Sequence, residues 1–443
     1  MRTKTIGVFM LSLIAGVTHA ERYLFTNGYL VTMTGEKIVA SDLLVDGDRI
    51  AAVGPELTAD GATRIDMQGG YLMPGLAEMH AHVPQPSQSR QYRDDVLFLW
   101  VANGVTTARS MLGHAEHLSL QQQIEKHEVL GPRIITSGPS FNGNSVSSPE
   151  QAAAMVRSQQ QAGFDFLKVH PGLTRAEYDA MADTAHELGI DFAGHVPPEV
   201  GLRHALSKGQ RTVDHVDGYV RALVPDVGPE TAGYRSSFGV GLVDQVDMNL
   251  LPELVARTRK ANAWVVPTQT LLENFAGDVD ELTSRHEIRY LPPRLLANYR
   301  RAIGSRGGNR DAGAALLGLR ASIINGLHEG GVGLLLGSDS PQIFNVPGFS
   351  IHRELQSIVA AGLSPYDAIA TGTVDAARFF RLQDEFGQLR SGLAADLVLV
   401  ERNPLQRIEH TQTIRGVMVR GRWLDAETRN QGLADIAQRY AGG

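Results

Sequence analysis

Two rhythms of apolar and polar positions divide this chain. From Glu21 to Asp66, apolar and polar residues alternate in short runs: "YLFTNGYLVTMTG", "SDLLVDGDRIAAVG" and "ATRIDMQGG". Alternation with period two is the pattern of half-buried strands, and Asn27-Gly28 and Asp46-Gly47 supply turns between them. The same grammar returns in "FGQLRSGLAADLVLVERNP" and "TIRGVMVRGRWLD". Between about Tyr71 and Leu389, short apolar runs alternate with longer helical patterns. Eight of these runs read as strands: "GLAEMHAH", "GVTTARSM", "RIITSG", "FDFLKVH", "IDFAGH", "RTVDHV", "AWVVPTQT" and "GVGLLLGSD". Eight strands each followed by a helix predict an α/β fold, a (β/α)8 TIM barrel at 71–387. The barrel is inserted in a small β-sandwich built from both chain ends, 21–70 plus 388–430.

Helix signals reinforce the rhythm. Ser147 to Glu150 and Thr174 to Glu177 fit a capping box, Pro149 suits a first helical turn, and Gly189 suits a helix stop. A doubly wound open sheet is the rival architecture, but it expects a Gly-rich phosphate loop, and neither G-x-G-x-x-G nor a P-loop occurs. Two stretches depart from the rhythm, about 217–260 and 271–308. They predict helical lid insertions over the barrel mouth.

Composition narrows the class. The chain has 443 residues, 43% hydrophobic and 20% charged, which is globular composition. Its formal net charge of -7 and lack of a basic stripe argue against nucleic acid as a partner. There is no cysteine, so any metal must be held by His, Asp, Glu or Lys chemistry. Residues 1–20 carry Arg2 and Lys4, then an apolar run from Ile6 to Val17, then small residues before Glu21. This reads as a cleaved signal peptide and predicts a periplasmic or secreted protein with no membrane span after its removal.

In a (β/α)8 enzyme the active site lies where strands end. Strand one ends with His80 and His82, strand four holds Lys168, strand five ends at His195, strand six near His215 and strand eight at Asp339. An isolated H-x-H is a weak signal, but six such groups converge on one face. Imidazoles and an aspartate can hold two divalent ions, zinc or similar, without a thiolate. Beside two dications an ammonium at Lys168 would be repelled, and the neutral amine can add carbon dioxide to become a bridging carbamate. Asp339 can ligate an ion and also shuttle the proton of a water whose pKa the ions lower. His170 shares the parity of Lys168 and so faces the mouth; an orienting and a structural role are equally open. His352, at the start of a helix after strand eight, is also placed at the mouth.

The series His-x-His, Lys, His, His, Asp, with "GLAEMHAH", "DFLKVH", "FAGHVP", "TVDHVDGY", "GLLLGSDSP" and "LRSGLAADLVLV", resembles the amidohydrolase superfamily from about residue 22 to 425. Within it the chain is similar to the imidazolonepropionase-like and prolidase-like branch. The resemblance implies one metal on His80, His82 and Asp339, another on His195 and His215, and carboxylated Lys168 between them. It gives Tyr219 the task of polarising the substrate carbonyl. Imidazolonepropionases lack the bridging lysine, so Lys168 argues against that activity. The function implied is that of an exported binuclear hydrolase that cleaves an amide-type C–N bond in small substrates such as Xaa-Pro dipeptides or N-acyl amino acids. Metal-bridging hydroxide attacks the carbonyl, and a homo-oligomer is compatible with the sequence. Esterase, lactonase or phosphotriesterase activity in the same site is the alternative reading. A catalytically dead exported binding protein is the alternative of another class.

Overall fold

Strand Leu76–Ala81 is buried at every position, which requires cover on both faces, as in a parallel sheet wrapped by helices. The computed structural model describes residues 21–304 and 310–441, and its middle has a TIM-barrel-like α/β fold. Leu76–Ala81 pairs in parallel with Val105–Ser110, which pairs with Arg133–Thr136. A second parallel sheet runs Leu167–Val169, Phe192–Gly194, Thr212–Asp214, Trp264–Val266. Single parallel bridges join Ser137 to Phe166, Val265 to Leu334 and Ala81 to Ser340.

The eighth expected strand is therefore bridged rather than laddered. Its backbone still bonds both neighbours: Leu335 N–H donates to Val265, and Met79 N–H donates to Leu336. Gly337 permits this closeness, since a Cβ there would stand 2.6 Å from Val266 Cγ1 and 2.8 Å from His80 N.

The chain ends form two further sheets. One orders Arg49–Gly54, Asp42–Asp46, Arg22–Thr26, Thr63–Asp66; the other orders Arg422–Asp425, Ile414–Val419, Leu397–Val400, Tyr71–Pro74, Tyr29–Leu30, Val39–Ala40. Leu397–Val400 pairs antiparallel with Tyr71–Pro74, so the two ends meet directly. Phe25, Leu43 and Val45 share one buried cluster with Leu30, Leu72, Leu397 and Met418. At about 1.5–3 kcal/mol for each large apolar side chain buried, that cluster ties the ends together.

Most helix signals act where the sequence places them. Thr174 and Glu177 form a reciprocal capping box at helix Arg175–Leu188, and Gly189 ends it in the left-handed region. Helix Pro149–Ala162 is capped one residue later than expected, by Ser148, whose hydroxyl accepts from Gln151 N. Ser147 instead binds the Gln151 side chain. Helix Ala426–Ala441 has no counterpart among the expected elements. Its Leu433 and Ile436 pack with Leu99 and Ala102, and Tyr440 donates to Asp95.

The expected insertions hold short helical pieces, among them Tyr219–Ala222, Gln269–Ala276, Val279–Ser284 and Pro293–Gly304, while Leu251–Lys260 is a regular helix before strand Trp264–Val266. Positions 305–308 of the second insertion and the expected signal peptide at 1–20 lie outside the described residues. Among the described residues no helix is long and apolar enough to cross a membrane.

Candidate metal centre

The strand ends bring all six expected ligands into one cluster, in which His80, Lys168, His215 and Asp339 are buried and His82 and His195 are partly exposed. Ring centroids of His80 and His82 are 5.4 Å apart, those of His80 and His215 are 4.5 Å apart, and those of His195 and His215 are 4.4 Å apart. Lys168 Nζ lies 3.4 Å from His80 Nε2. Asp339 Oδ1 is 2.7 Å from His82 Nε2 and 3.8 Å from His80 Nε2. His170 stands beside them, its ring 5.0 Å from that of His195.

Unusual backbone puts these side chains there. His215, Val216, Thr268 and Asp339 all have positive φ, at 63°, 54°, 48° and 63°. Such a conformation costs on the order of 1–3 kcal/mol at a β-branched residue and persists only when its surroundings impose it. Arg320 holds the backbone around His215 and Thr268 in place. Fully buried, its guanidinium donates to the carbonyls of His215 and Pro267 and to Gln269 Oε1. Gly194 makes room for the lysine, because a Cβ there would stand 2.9 Å from Lys168 Cδ.

A second layer aims the imidazoles. His195 Nδ1 is 2.6 Å from Asp217 Oδ2, and His215 Nδ1 is 2.8 Å from Thr268 Oγ1. His80 Nδ1 lies 2.9 Å from Asp214 Oδ2 without hydrogen-bond geometry. Asp214 is in turn held by Thr212 and by Arg109, which also donates to Met79 O on the neighbouring strand. Glu78 accepts from Ser338 N, the Ser338 hydroxyl and His80 N. Sequence reasoning missed this layer. Glu78 was within reach, since it shares strand parity with His80 and His82.

Electrostatics follow from burial. Desolvation, then Lys168 and neighbouring imidazoles, hold His80 well below its usual pKa; desolvation and the neighbouring His195 do the same to His215. His170 is lowered for the same reasons. Burial brings Lys168 down to about 8, against the pull of Asp214 and Asp339. Burial would raise Asp214, but Arg109, Lys168 and His215 outweigh it and keep the carboxylate ionised. Glu78 is pushed by burial to about 8, partly offset by Ser338.

These features fit divalent ions. The two most buried imidazoles are neutral, as ligands must be, and ligand atoms of His80, His215 and Asp339 lie within 4.8 Å of one another. Asp339 Oδ1 is buried and accepts no hydrogen bond despite its closeness to His82.

Two expectations are corrected. Tyr219 does not reach the cluster: it is fully buried, and its hydroxyl bonds Thr258 Oγ1 at 2.7 Å on helix Leu251–Lys260. His352 is not at the mouth. Its Nδ1 meets Thr411 Oγ1 and its Nε2 meets Asn103 O, so it pins helix Phe349–Ala360 to the chain around it.

Imidazoles, a lysine and a carboxylate gathered at the strand ends of a TIM-barrel-like fold define a class of site, one suited to divalent metal ions. The chain belongs to the amidohydrolase family, whose sequence model matches residues 71–424. It is 37% identical over 112 residues to a dihydroorotase of Bacillus cereus strain B4264, covering 24% of this chain and 26% of that protein. A dihydroorotase of Bacillus anthracis strain A0248 is 47% identical over 64 residues, 14% of this chain and 15% of the relative. The chain thus aligns with only about a quarter or less of the length of these curated relatives.

Among solved structures, a Xaa-Pro dipeptidase with bound methionine superposes with TM-score 0.68 at 20% identity, over 91% of this chain and 100% of the other. A bottromycin amidohydrolase gives 0.73 at 22%, over 95% and 90%. Molinate hydrolase gives 0.67 at 17%, over 92% and 96%. Likeness at these identities establishes the shared fold.

Proposed function

We propose that the protein is a binuclear metal-dependent hydrolase that cleaves an amide-type C–N bond in small substrates of the Xaa-Pro dipeptide or N-acyl amino acid kind. The observation that carries this is the convergence of His80, His82, Lys168, His195, His215 and Asp339. His80, His82 and Asp339 would hold one ion, His195 and His215 the other, with Lys168 between. When bound, zinc or a similar ion supplies Lewis acidity and lowers the pKa of a water from about 16 to about 7.

The chain's own residues do the rest. Asp339 accepts a proton from the attacking water and delivers it to the leaving nitrogen, which departs as the amine. Asp217 and Thr268 fix the rings of His195 and His215. Lys168, brought to about 8, presents enough neutral amine near neutral pH to add carbon dioxide and become a carbamate. His170, beside His195, orients substrate at the mouth. The same reading keeps the barrel at 71–387, the two-ended β-sandwich, and export directed by a signal peptide at 1–20.

The test is a mass-spectrometric screen of the zinc-loaded chain on dipeptides, N-acyl amino acids and matched esters, with Asp339→Asn as the blank. Selective loss of the amides supports the reading. Loss of the esters alone moves the activity to ester hydrolysis.

A further inference from the structure

Helix Gln269–Ala276 starts in an uncommon way. Thr268 occupies its cap position, where a threonine hydroxyl ordinarily accepts from the second or third amide of the helix. Here that hydroxyl lies 2.8 Å from His215 Nδ1 instead, and the residue holds a left-handed φ of 48°. The helix amides are met from elsewhere. Gln269 N–H donates to Glu354 Oε1 at 2.9 Å and Thr270 N–H donates to Glu354 Oε2 at 2.8 Å, so both oxygens of one carboxylate serve this helix start. Glu354 is fully buried on helix Phe349–Ala360, 85 and 84 positions further along the chain.

A carboxylate is costly to bury, and a packed apolar side chain would fill the same volume without that cost. What Glu354 secures is the turn 267–270. Arg320 holds the same turn from helix Arg310–Glu329, through Pro267 O and Gln269 Oε1. Thr268 stands between these two supports, its backbone fixed on either side and its hydroxyl left for His215. When His215 Nδ1–H donates to that hydroxyl, Nε2 carries the lone pair that an ion needs. A threonine free to relax turns its hydroxyl back to its own helix, and the ring loses its anchor.

We propose that Glu354 is a positioning residue of the metal centre: it caps helix Gln269–Ala276 in place of Thr268, and so releases the Thr268 hydroxyl to aim the His215 ring at the ion shared with His195. This deepens the hydrolase reading and rests on it. Glu354 acts on that ion only through Thr268.

The experiment is a competitive zinc titration of the full chain, of Glu354→Gln, of Thr268→Val and of the double variant, resolving the two ions. It is run at pH 9, above the value of about 8 to which burial pushes the Glu354 carboxyl, so that both oxygens accept. Glutamine keeps the shape but faces one amide with a second donor; Glu354→Asp, which keeps the charge and shortens the reach, enters the same cycle should the glutamine variant not fold. Each single variant should weaken one of the two ions about 10- to 100-fold. Because both act on one bond, the double variant should bind within about twofold of the weaker single variant. Losses that multiply, or a Glu354 variant that melts lower yet binds both ions like the parent, would overturn the role and leave the binuclear centre standing. A parent chain that takes up no second ion overturns the binuclear reading instead, and NMR of the metal-free chain labelled at histidine nitrogen then decides the role alone. A His215 Nδ1 signal shifted alike in Glu354→Gln and Thr268→Val supports it, and one that Glu354→Gln leaves unmoved overturns it.

Discussion

Asp217 Oδ2 sits 2.6 Å from His195 Nδ1, two residues that stand 22 positions apart and leave successive strands of the same sheet. The carboxylate fixes the ring so that Nε2 faces the cluster. Replacing Asp217 with Ala frees the ring, and metal affinity should fall by about 10- to 100-fold. A competitive metal titration of the two proteins measures this directly, and an unchanged affinity would show that His195 ligates nothing.

Chelation should remove stability along with turnover. Ions that bind the folded chain alone stabilise it by mass action, about 4 kcal/mol when free metal exceeds Kd a thousandfold. The metal-free chain should therefore melt several degrees lower, and added zinc should restore both properties. Restored melting without amide turnover would point to a structural ion.

Gly194→Ala should damage the site from outside it. The added Cβ meets Val169 O at 2.5 Å and Lys168 Cδ at 2.9 Å, at a φ of +124°. A loss of about 2 kcal/mol or more in denaturant unfolding is expected, together with reduced metal content.

Tyr219→Phe distinguishes packing from catalysis. With its hydroxyl on Thr258, the variant should lose about 1 kcal/mol of stability and keep kcat/KM within about twofold. A drop of about 100-fold would return Tyr219 to the substrate.

His352 makes a pH prediction. Burial, only partly offset by its bond to Asn103 O, brings its pKa from 6.5 to about 4. A base with a lowered folded pKa contributes stability that is complete above pH 6.5, because the unfolded chain takes up the proton first. As pH falls from 6.5 towards 4 that contribution is lost, up to about 3 kcal/mol. His352→Gln should be less stable at pH 7 yet flatter in this window, which denaturation midpoints at pH 7, 5.5 and 4.5 will show.

Much of this was legible along the chain because strand and helix periods are local properties. Alternation alone placed His80 and His82 on one side of a strand, and apolar runs located the parallel strands to within four residues at either end. The eighth segment read as a strand by the same rule, yet its close approach to neighbours through Gly337 left it with bridges only. Capping signals were readable to within one residue, the helix taking Ser148 as its cap where Ser147 was expected.

The remainder depends on distances through space. No spacing tells that Asp217 will meet His195, that Arg109 will cross the interior to Asp214, or that Arg320 will hold the His215 carbonyl from a helix about a hundred residues further on. The parity rule does not reach Tyr219, because the left-handed turn at His215 and Val216 resets the direction of the chain just before it. The sequence by itself singled out the residues proposed to carry metal chemistry and the strands that bear them. Only the tertiary structure decided how each imidazole is aimed, since that arises from side chains that packing brings together from distant parts of the chain.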